Sequence, residues 1–188
     1  MAVIPIYNAY HPILREKSQD VENYDDSTVK LIDDMWDTLY NISNGIGLAG
    51  NQVGSNKSVL IINMGVGNPD EESNPITMVN PVITDFSDDE DEMEEGCLSI
   101  PEFYEKVKRP AGIQVNYYDR EMKEHKKEVT GFLARVMQHE IDHLNGILFF
   151  DRLTPLRKTL SKNKLRKIEQ GKIKTGYPMV QADGKLTE

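Results

Sequence analysis

The sequence contains a single cysteine, Cys97, and no apolar run that approaches the length of a membrane span. A spanning helix needs about 20 consecutive apolar residues, so no helical integral membrane protein is expected. One cysteine cannot form a disulfide within the chain, which leaves a buried small residue, a reactive thiol or a metal ligand. The start of the chain also lacks the basic segment and small-residue cleavage site of a secretory signal, which predicts a cytoplasmic protein.

Acidic residues outnumber basic ones, and the formal net charge is -9 over 188 residues. The charge is uneven, because residues 151–188 contain ten Lys or Arg and only four acidic residues. This pattern is typical of two separately solvated faces, or of a basic tail that alone meets an anionic partner. The length favours one domain with a single core.

Hydrophobic periodicity predicts a fold of the α+β class. Apolar residues recur at helical spacing in three segments, 27–44, 131–145 and 155–170. Strands are predicted for 58–64, 76–86, 104–109, 113–118 and 125–130. The loop 65–75, the solvated acidic run 88–95 and a disordered tail after residue 170 complete the prediction. Short gaps between strands favour mostly antiparallel β-sheets, and helix 131–145, apolar on two faces, is expected to lie buried at their centre.

The strongest signal for chemistry is the segment His139-Glu140-Ile141-Asp142-His143 on that central helix. Histidines four residues apart lie about 6 Å apart along a helix axis and point the same way, so one metal ion can bridge them. Glu140 falls roughly a quarter turn away, where it can exchange a proton with water beside the metal. The alternative is a buried helix whose histidines are satisfied by hydrogen bonds. Two of only four histidines on one apolar face, with a glutamate between them, favour the metal site.

The third ligand decides the class of mechanism. The metzincin pattern requires a histidine ten residues after the first, but that position is Phe149. Glu169 is a weak candidate, because it lies among lysines on a helix expected to be exposed. Cys97 is the better one: seven carboxylates precede it, and their field opposes a free thiolate unless a divalent cation supplies positive charge. An inert buried cysteine is the alternative.

Two other functions stay open at this point. One is a small RNA-binding protein in which the cysteine and the two histidines form a structural metal site, and the other is a zinc peptidase. Structural zinc normally takes four protein ligands, and the sequence places no fourth Cys or His to supply one. Three ligands with an open position are typical of catalysis.

Three motifs resemble those of bacterial peptide deformylases and occur in the same order. They are Gly45-Ile46-Gly47-Leu48-Ala49-Gly50-Asn51-Gln52, Glu95-Gly96-Cys97-Leu98-Ser99 and Gln138-His139-Glu140-Ile141-Asp142-His143. Three motifs together are far more specific than the zinc-protease pattern alone. The resemblance implies a peptide deformylase catalytic domain over residues 1–150, with 151–188 as a basic C-terminal helix and flexible tail of the same domain.

The resemblance also implies a metal-dependent hydrolase that removes the formyl group from the N-terminal formyl-methionine of newly made polypeptides and releases formate. Cys97, His139 and His143 would hold one divalent metal. Glu140 would take a proton from water and return it to the leaving nitrogen. This ligand set suits zinc, nickel, cobalt or iron, and the resemblance implies Fe2+.

Five further residues are assigned to the site by the same resemblance. The Gln52 side chain and the backbone N–H of Leu98 would hold the oxyanion. The backbone at Gly45 and Ile46 would pair with the extended substrate, and Val136 would line the methionine pocket.

Three features beyond these motifs carry expectations. Gly50 stands where the family usually has a second alanine, and glycine there is expected to loosen the strand that presents Gln52. Asp142 and Arg109 are expected either to form hydrogen bonds that support the metal ligands or to be an exposed ion pair that contributes little. The basic helix from Pro155 is expected either to contact the ribosome through RNA phosphates or to be a solvated surface helix.

Overall fold

The computed structural model describes residues 2–67 and 75–187. Its helices are α1 (Asp26–Tyr40), α2 (Met64–Gly67), α3 (Gly131–Leu144) and α4 (Pro155–Glu169). Its strands are β1 (Ile6–Tyr7), β2 (Gly47–Ala49), β3 (Val59–Ile62), β4 (Ile76–Phe86), β5 (Glu90–Cys97), β6 (Ile100–Pro110), β7 (Gly112–Tyr118), β8 (Glu124–Thr130), β9 (Met179–Val180) and β10 (Leu186–Thr187). The predicted loop 65–75 falls largely on residues 68–74, which lie outside the described residues.

The strands of the described ranges form three sheets. One has five strands in the order β2-β3-β4-β7-β8, one is the β5-β6 hairpin, and one has the order β1-β9-β10. All named pairings are antiparallel except that of β1 with β9. The predicted α+β fold with mostly antiparallel sheets is confirmed.

Both faces of the five-stranded sheet are covered by helices, which explains the unbroken apolar sequence of β3. Successive side chains of a strand point to opposite faces. Leu60 and Ile62 belong to the core cluster that contains the apolar residues of α3, whereas Val59 and Ile61 belong to the cluster formed with α1. All four side chains are fully buried.

Helix α3 occupies the centre of the molecule, as its two apolar faces predicted. Every residue from 134 to 144 is buried. One side packs on the five-stranded sheet, and the other faces the β5-β6 hairpin, where Phe149 and Phe103 have ring centroids 5.6 Å apart. The helix ends at the predicted Asn145-Gly146, with Gly146 in the left-handed region at φ 72°.

Helix α1 ends earlier than predicted. Its last residue is Tyr40, and Asn44-Gly45 does not cap it. The chain turns at once because Ile42 is buried in the core beside α1. Gly45 is needed for close approach: a Cβ there would lie 2.6 Å from Leu39 Cδ1.

The acidic run 88–95 was predicted to be solvated, which holds for most of its side chains but is wrong for Glu95, and the run is a strand rather than a loop. It forms β5, which pairs with β6 so that Glu92 lies opposite Lys108 and Glu94 opposite Lys106. Opposite charges on paired strands stabilise a hairpin. The alternation of the strand then turns Glu95 inward, where it is buried.

The segment after α4 also differs from the predicted disordered tail. It contains β9 and β10, and the side chain of Met179 is fully buried against the α1 cluster. No helix among the described residues is long and apolar enough to cross a membrane.

Candidate metal centre

His139 and His143 lie one turn apart on α3, and their imidazole ring centroids are 5.0 Å apart. Both side chains are buried. The helix therefore presents the two rings together on the side that faces the β5-β6 hairpin, as the four-residue spacing predicted.

Cys97 reaches the same place from the end of β5. The hairpin register shifts between Gly96 and Cys97, so the regular ladder ends where the thiol projects. Cys97 Sγ lies 3.2 Å from His143 Nε2. One atom from each of Cys97, His139 and His143 falls within 4.8 Å of the other two, which makes a metal-binding site.

The donors present fit a divalent ion. A thiolate and two imidazoles suit zinc and the first-row metals from iron to nickel. In the described part of the chain no further His, Cys, Asp or Glu belongs to this group. Three protein ligands match a catalytic centre rather than a closed structural one.

Glu95 ties the metal site to the hairpin. Its carboxylate accepts a hydrogen bond from His139 Nδ1 at 2.9 Å, from Arg109 at 2.7 and 2.9 Å, and from Arg135 at 2.9 Å. Burial raises the pKa of Glu95, but the hydrogen bonds from His139 and Arg109 outweigh it and hold the pKa well below its ordinary value. Glu95 is therefore a carboxylate that orients a ligand imidazole.

Asp142 and Arg109 meet, as expected, directly behind the ligands. Arg109 is 1% exposed, and its Nη1 donates to Asp142 Oδ2 at 2.5 Å. Arg152 also binds both oxygens of Asp142, at 2.6 Å each. The buried positive charge of Arg109 is therefore balanced by a carboxylate. Without such a partner, burial of a guanidinium would be strongly unfavourable.

Glu140 lies beside the ligands, with its carboxylate against the backbone of β2. A Cβ added at Gly47 would lie 2.8 Å from Glu140 Cδ, so only glycine leaves room for this carboxylate. Burial raises the pKa of Glu140 to about 7, and its Oε2 has no hydrogen-bond partner among the described residues. A buried carboxyl group that titrates near neutrality is suited to accept and donate protons.

Gln52 is held next to Cys97, although by a 3-10 turn (Gly50–Val53) and not by the predicted strand. Its Nε2 is 3.5 Å from Cys97 Sγ and 3.3 Å from Ser99 Oγ, while its Oε1 accepts from Ala49 N at 2.8 Å. These contacts hold the Gln52 amide beside Cys97 and Ser99, and the loosening expected of Gly50 stays a prediction.

Gly50 is required by close packing in this chain. A Cβ at this position would lie 2.7 Å from the backbone oxygen of Lys57 and 3.3 Å from Val59 Cγ2. An alanine would therefore displace the strand next to the turn.

A cavity of about 470 Å³ opens over these groups. The predicted substrate residues Gly45, Ile46 and Val136 line it, as do Gln52 and Leu98. Its walls also include Phe132, Tyr104 and four residues from beyond α4, namely Lys174, Thr175, Gly176 and Tyr177.

Sequence reasoning missed several residues of the site. Glu95 was grouped with a solvated run, although its place in the second motif was a usable signal. Asn51, whose Nδ2 donates to His143 O at 2.5 Å, also lies within a quoted motif. Arg135 carried only a weak signal, as a charge on a buried helix, and Tyr177 carried none.

Comparisons with known proteins agree with this arrangement. The family model described as polypeptide deformylase matches residues 3–159. The peptide deformylase of Salinibacter ruber is 40% identical and covers 96% of each chain, and that of Syntrophobacter fumaroxidans is 45% identical over 89% of this chain and 96% of its own. Among solved structures, a plant peptide deformylase superposes with a TM-score of 0.82 at 35% identity, covering 90% of each chain. The peptide deformylase of Legionella pneumophila has a TM-score of 0.79 at 38% identity, over 92% of this chain and 99% of its own.

Proposed function

The chain belongs to the polypeptide deformylase family, and we propose that it removes the formyl group from the N-terminal formyl-methionine of newly made polypeptides, releasing formate. The observation that carries this proposal is the meeting of Cys97, His139 and His143 beside the buried carboxylate of Glu140, where Cys97, His139 and Glu140 line one cavity. Hydrolysis of a formamide needs an activated water and a proton donor for the leaving amine.

In this proposal Cys97, His139 and His143 hold one divalent metal. When bound, such an ion polarises a carbonyl oxygen and lowers the pKa of water. Glu140 takes the proton of the attacking water and passes it to the nitrogen that leaves. Its raised pKa, about 7, lets one carboxyl group do both near neutral pH.

Gln52 and Leu98 stabilise the negative charge that develops on the formyl oxygen. The Gln52 Nε2 lies within 3.5 Å of Cys97 Sγ, and Leu98 follows Cys97 directly, so both donors adjoin the same corner of the cavity. Loss of one such donor typically costs about 3 kcal/mol of transition-state stabilisation.

Gly45, Ile46 and Val136 bind the peptide. β2 is an edge strand of the five-stranded sheet, and Gly45 and Ile46 precede it along the cavity wall. An extended peptide can join such an edge by backbone hydrogen bonds. Val136, on the buried helix, offers an apolar surface for the methionine side chain.

The direct test compares hydrolysis of formyl-Met-Ala with that of Met-Ala and longer unformylated peptides. Release of formate from the formylated peptide alone supports the proposal. Cleavage of peptide bonds would instead indicate a zinc peptidase. Absence of both reactions together with RNA binding would favour the structural metal site.

We propose Fe2+ as the metal, on the basis of family membership and a ligand set that also suits Zn2+, Ni2+ and Co2+. Purification without oxygen should yield about one iron per chain, and exposure to air should remove activity together with ferrous iron. Full activity with zinc alone, before and after air, would contradict this assignment.

We further propose a cytoplasmic enzyme of one domain, with 1–150 as the catalytic part, and a ribosome contact through α4. Arg157 pairs with Glu105. The exposed Lys162, Lys164, Arg166 and Lys167 have no ion pair among the described residues. Reversing these four charges should abolish salt-sensitive ribosome binding; unchanged binding would rule out this contact.

A further inference from the structure

The segment that follows α4 runs back along the N-terminal strand and reaches the catalytic cavity. Ile6 N donates to Pro178 O at 2.9 Å, and Asn8 N donates to Val180 O at 2.8 Å. Met179, between them, is fully buried. This segment lies beyond residue 159, where the match to the family model ends.

Tyr177 lies in this segment, and its side chain contacts the motif that contains Cys97 and Leu98. Its hydroxyl donates to the backbone oxygen of Leu98 at 2.7 Å, and both side chains pack against the α1 core cluster. The backbone of Tyr177 is itself held, because Thr175 Oγ1 donates to Tyr177 O at 2.6 Å.

Three other contacts hold Cys97 and Ser99, the neighbours of Leu98 in the motif. Gln52 Nε2 approaches Cys97 Sγ at 3.5 Å and Ser99 Oγ at 3.3 Å, and Ala9 N donates to Ser99 O at 2.9 Å. In the part of the chain that the structure describes, the hydrogen bond from Tyr177 fixes the carbonyl of Leu98. The Leu98 N–H and the Leu98 carbonyl lie in two rigid peptide planes that meet at its Cα, and only φ and ψ of Leu98 turn one plane against the other. With Cys97 held on one side and the Leu98 carbonyl and Ser99 held on the other, these two rotations are restricted, and so is the direction of the N–H.

We propose that Tyr177 is a positioning residue for deformylation, and that it aims the Leu98 N–H at the reacting oxygen by holding the Leu98 carbonyl. This proposal rests on the proposed function of Leu98. It makes the C-terminal segment part of the active site.

The test replaces Tyr177 by phenylalanine, which keeps the ring and its packing and removes only the hydroxyl. Tyr177→Phe should lower kcat for formyl-Met-Ala about tenfold, with KM changed less than about twofold, since misplacement of a donor acts on the transition state. Amide hydrogen exchange in residues 97–99 should rise at least about fivefold, with and without metal, because a hydrogen bond that restrains this segment is lost.

The matched control is Tyr24→Phe. Tyr24 packs against the same cluster, and its hydroxyl has no hydrogen-bond partner among the described residues.

The control should change neither kcat nor exchange. A lower melting temperature in Tyr177→Phe with unchanged kcat would show a purely structural role and overturn the proposal, as would a fall in kcat without faster exchange. An inactive wild-type protein would instead refute the proposed function, and the exchange measurement would still report whether Tyr177 holds Leu98.

Discussion

The carboxylate of Glu95 lies 2.9 Å from Nδ1 of His139, and the same carboxylate binds two buried arginines, Arg109 and Arg135. One acidic side chain thus orients a metal ligand and neutralises the charged groups behind it. A ligand histidine held in this way keeps its tautomer and its ring orientation. Glu95, the first residue of the cysteine motif, therefore belongs to the metal site rather than to the surface.

Replacing Glu95 by glutamine should weaken both metal binding and folding. We expect metal affinity to fall about 10- to 100-fold, because the orientation of His139 is lost. The free energy of unfolding should fall by about 3 kcal/mol, because Arg109 and Arg135 lose a buried counter-charge. Competition with a chelator and urea denaturation measure the two effects. Glu92→Gln, on the exposed face of the same strand, is the control: it should leave metal affinity unchanged and lower the free energy of unfolding by no more than about 1 kcal/mol, because only a surface charge pair with Lys108 is lost.

Glu140→Ala should separate chemistry from metal binding. The variant should keep its metal, since Glu140 is not among the three grouped ligands, while kcat falls about 10²- to 10⁴-fold through loss of proton transfer. Metal analysis and formate release on the same sample give the answer. Glu128→Ala, at an exposed position of β8, serves as control. Full activity of Glu140→Ala would end the assignment of this residue.

Phe132→Ala should affect substrate binding more than stability. The side chain is 38% exposed and lines the catalytic cavity, so its removal deletes apolar contact with the substrate rather than core packing. We expect KM for formyl-Met-Ala to rise about tenfold, which corresponds to about 1.4 kcal/mol of lost binding. Phe86→Ala removes a phenylalanine that is 54% exposed and lies outside the residues that line this cavity, and it should leave KM unchanged. Equal effects of both substitutions would contradict a substrate contact.

Gly50→Ala should destabilise the protein, although the resemblance of the first motif implies that an alanine can stand at this position. The added methyl would lie 2.7 Å from the backbone oxygen of Lys57, which cannot move independently of β3. Such overpacking typically costs about 1–3 kcal/mol. Urea denaturation provides the measurement, with Gly176→Ala as the stability control, because a Cβ there meets no atom within 4 Å. A more stable Gly50→Ala variant would show that the Lys57 backbone can adjust.

The sequence determined much of this protein by itself. Helical periodicity and the spacing of His139 and His143 fixed α3 as a buried helix with two imidazoles on one side, because residues four apart on a helix must lie together. Strands β4, β6, β7 and β8 and the antiparallel sheets also followed from local pattern and short connections, whereas β5 did not, and the quoted motifs contained Gln52 and Leu98.

Only the tertiary structure decided which residues from distant parts of the chain meet at the metal site. Cys97 is 42 residues from His139 in the chain, so its approach to the histidines depends on how the β5-β6 hairpin packs on α3. Glu95 looked like one more carboxylate in an acidic run, and its burial depends on arginines contributed by β6 and α3. Tyr177 reaches Leu98 only because β9 pairs with β1, a contact between the two ends of the chain. Local sequence encodes turns and periodicities, whereas contacts between distant segments arise only when the whole core has closed.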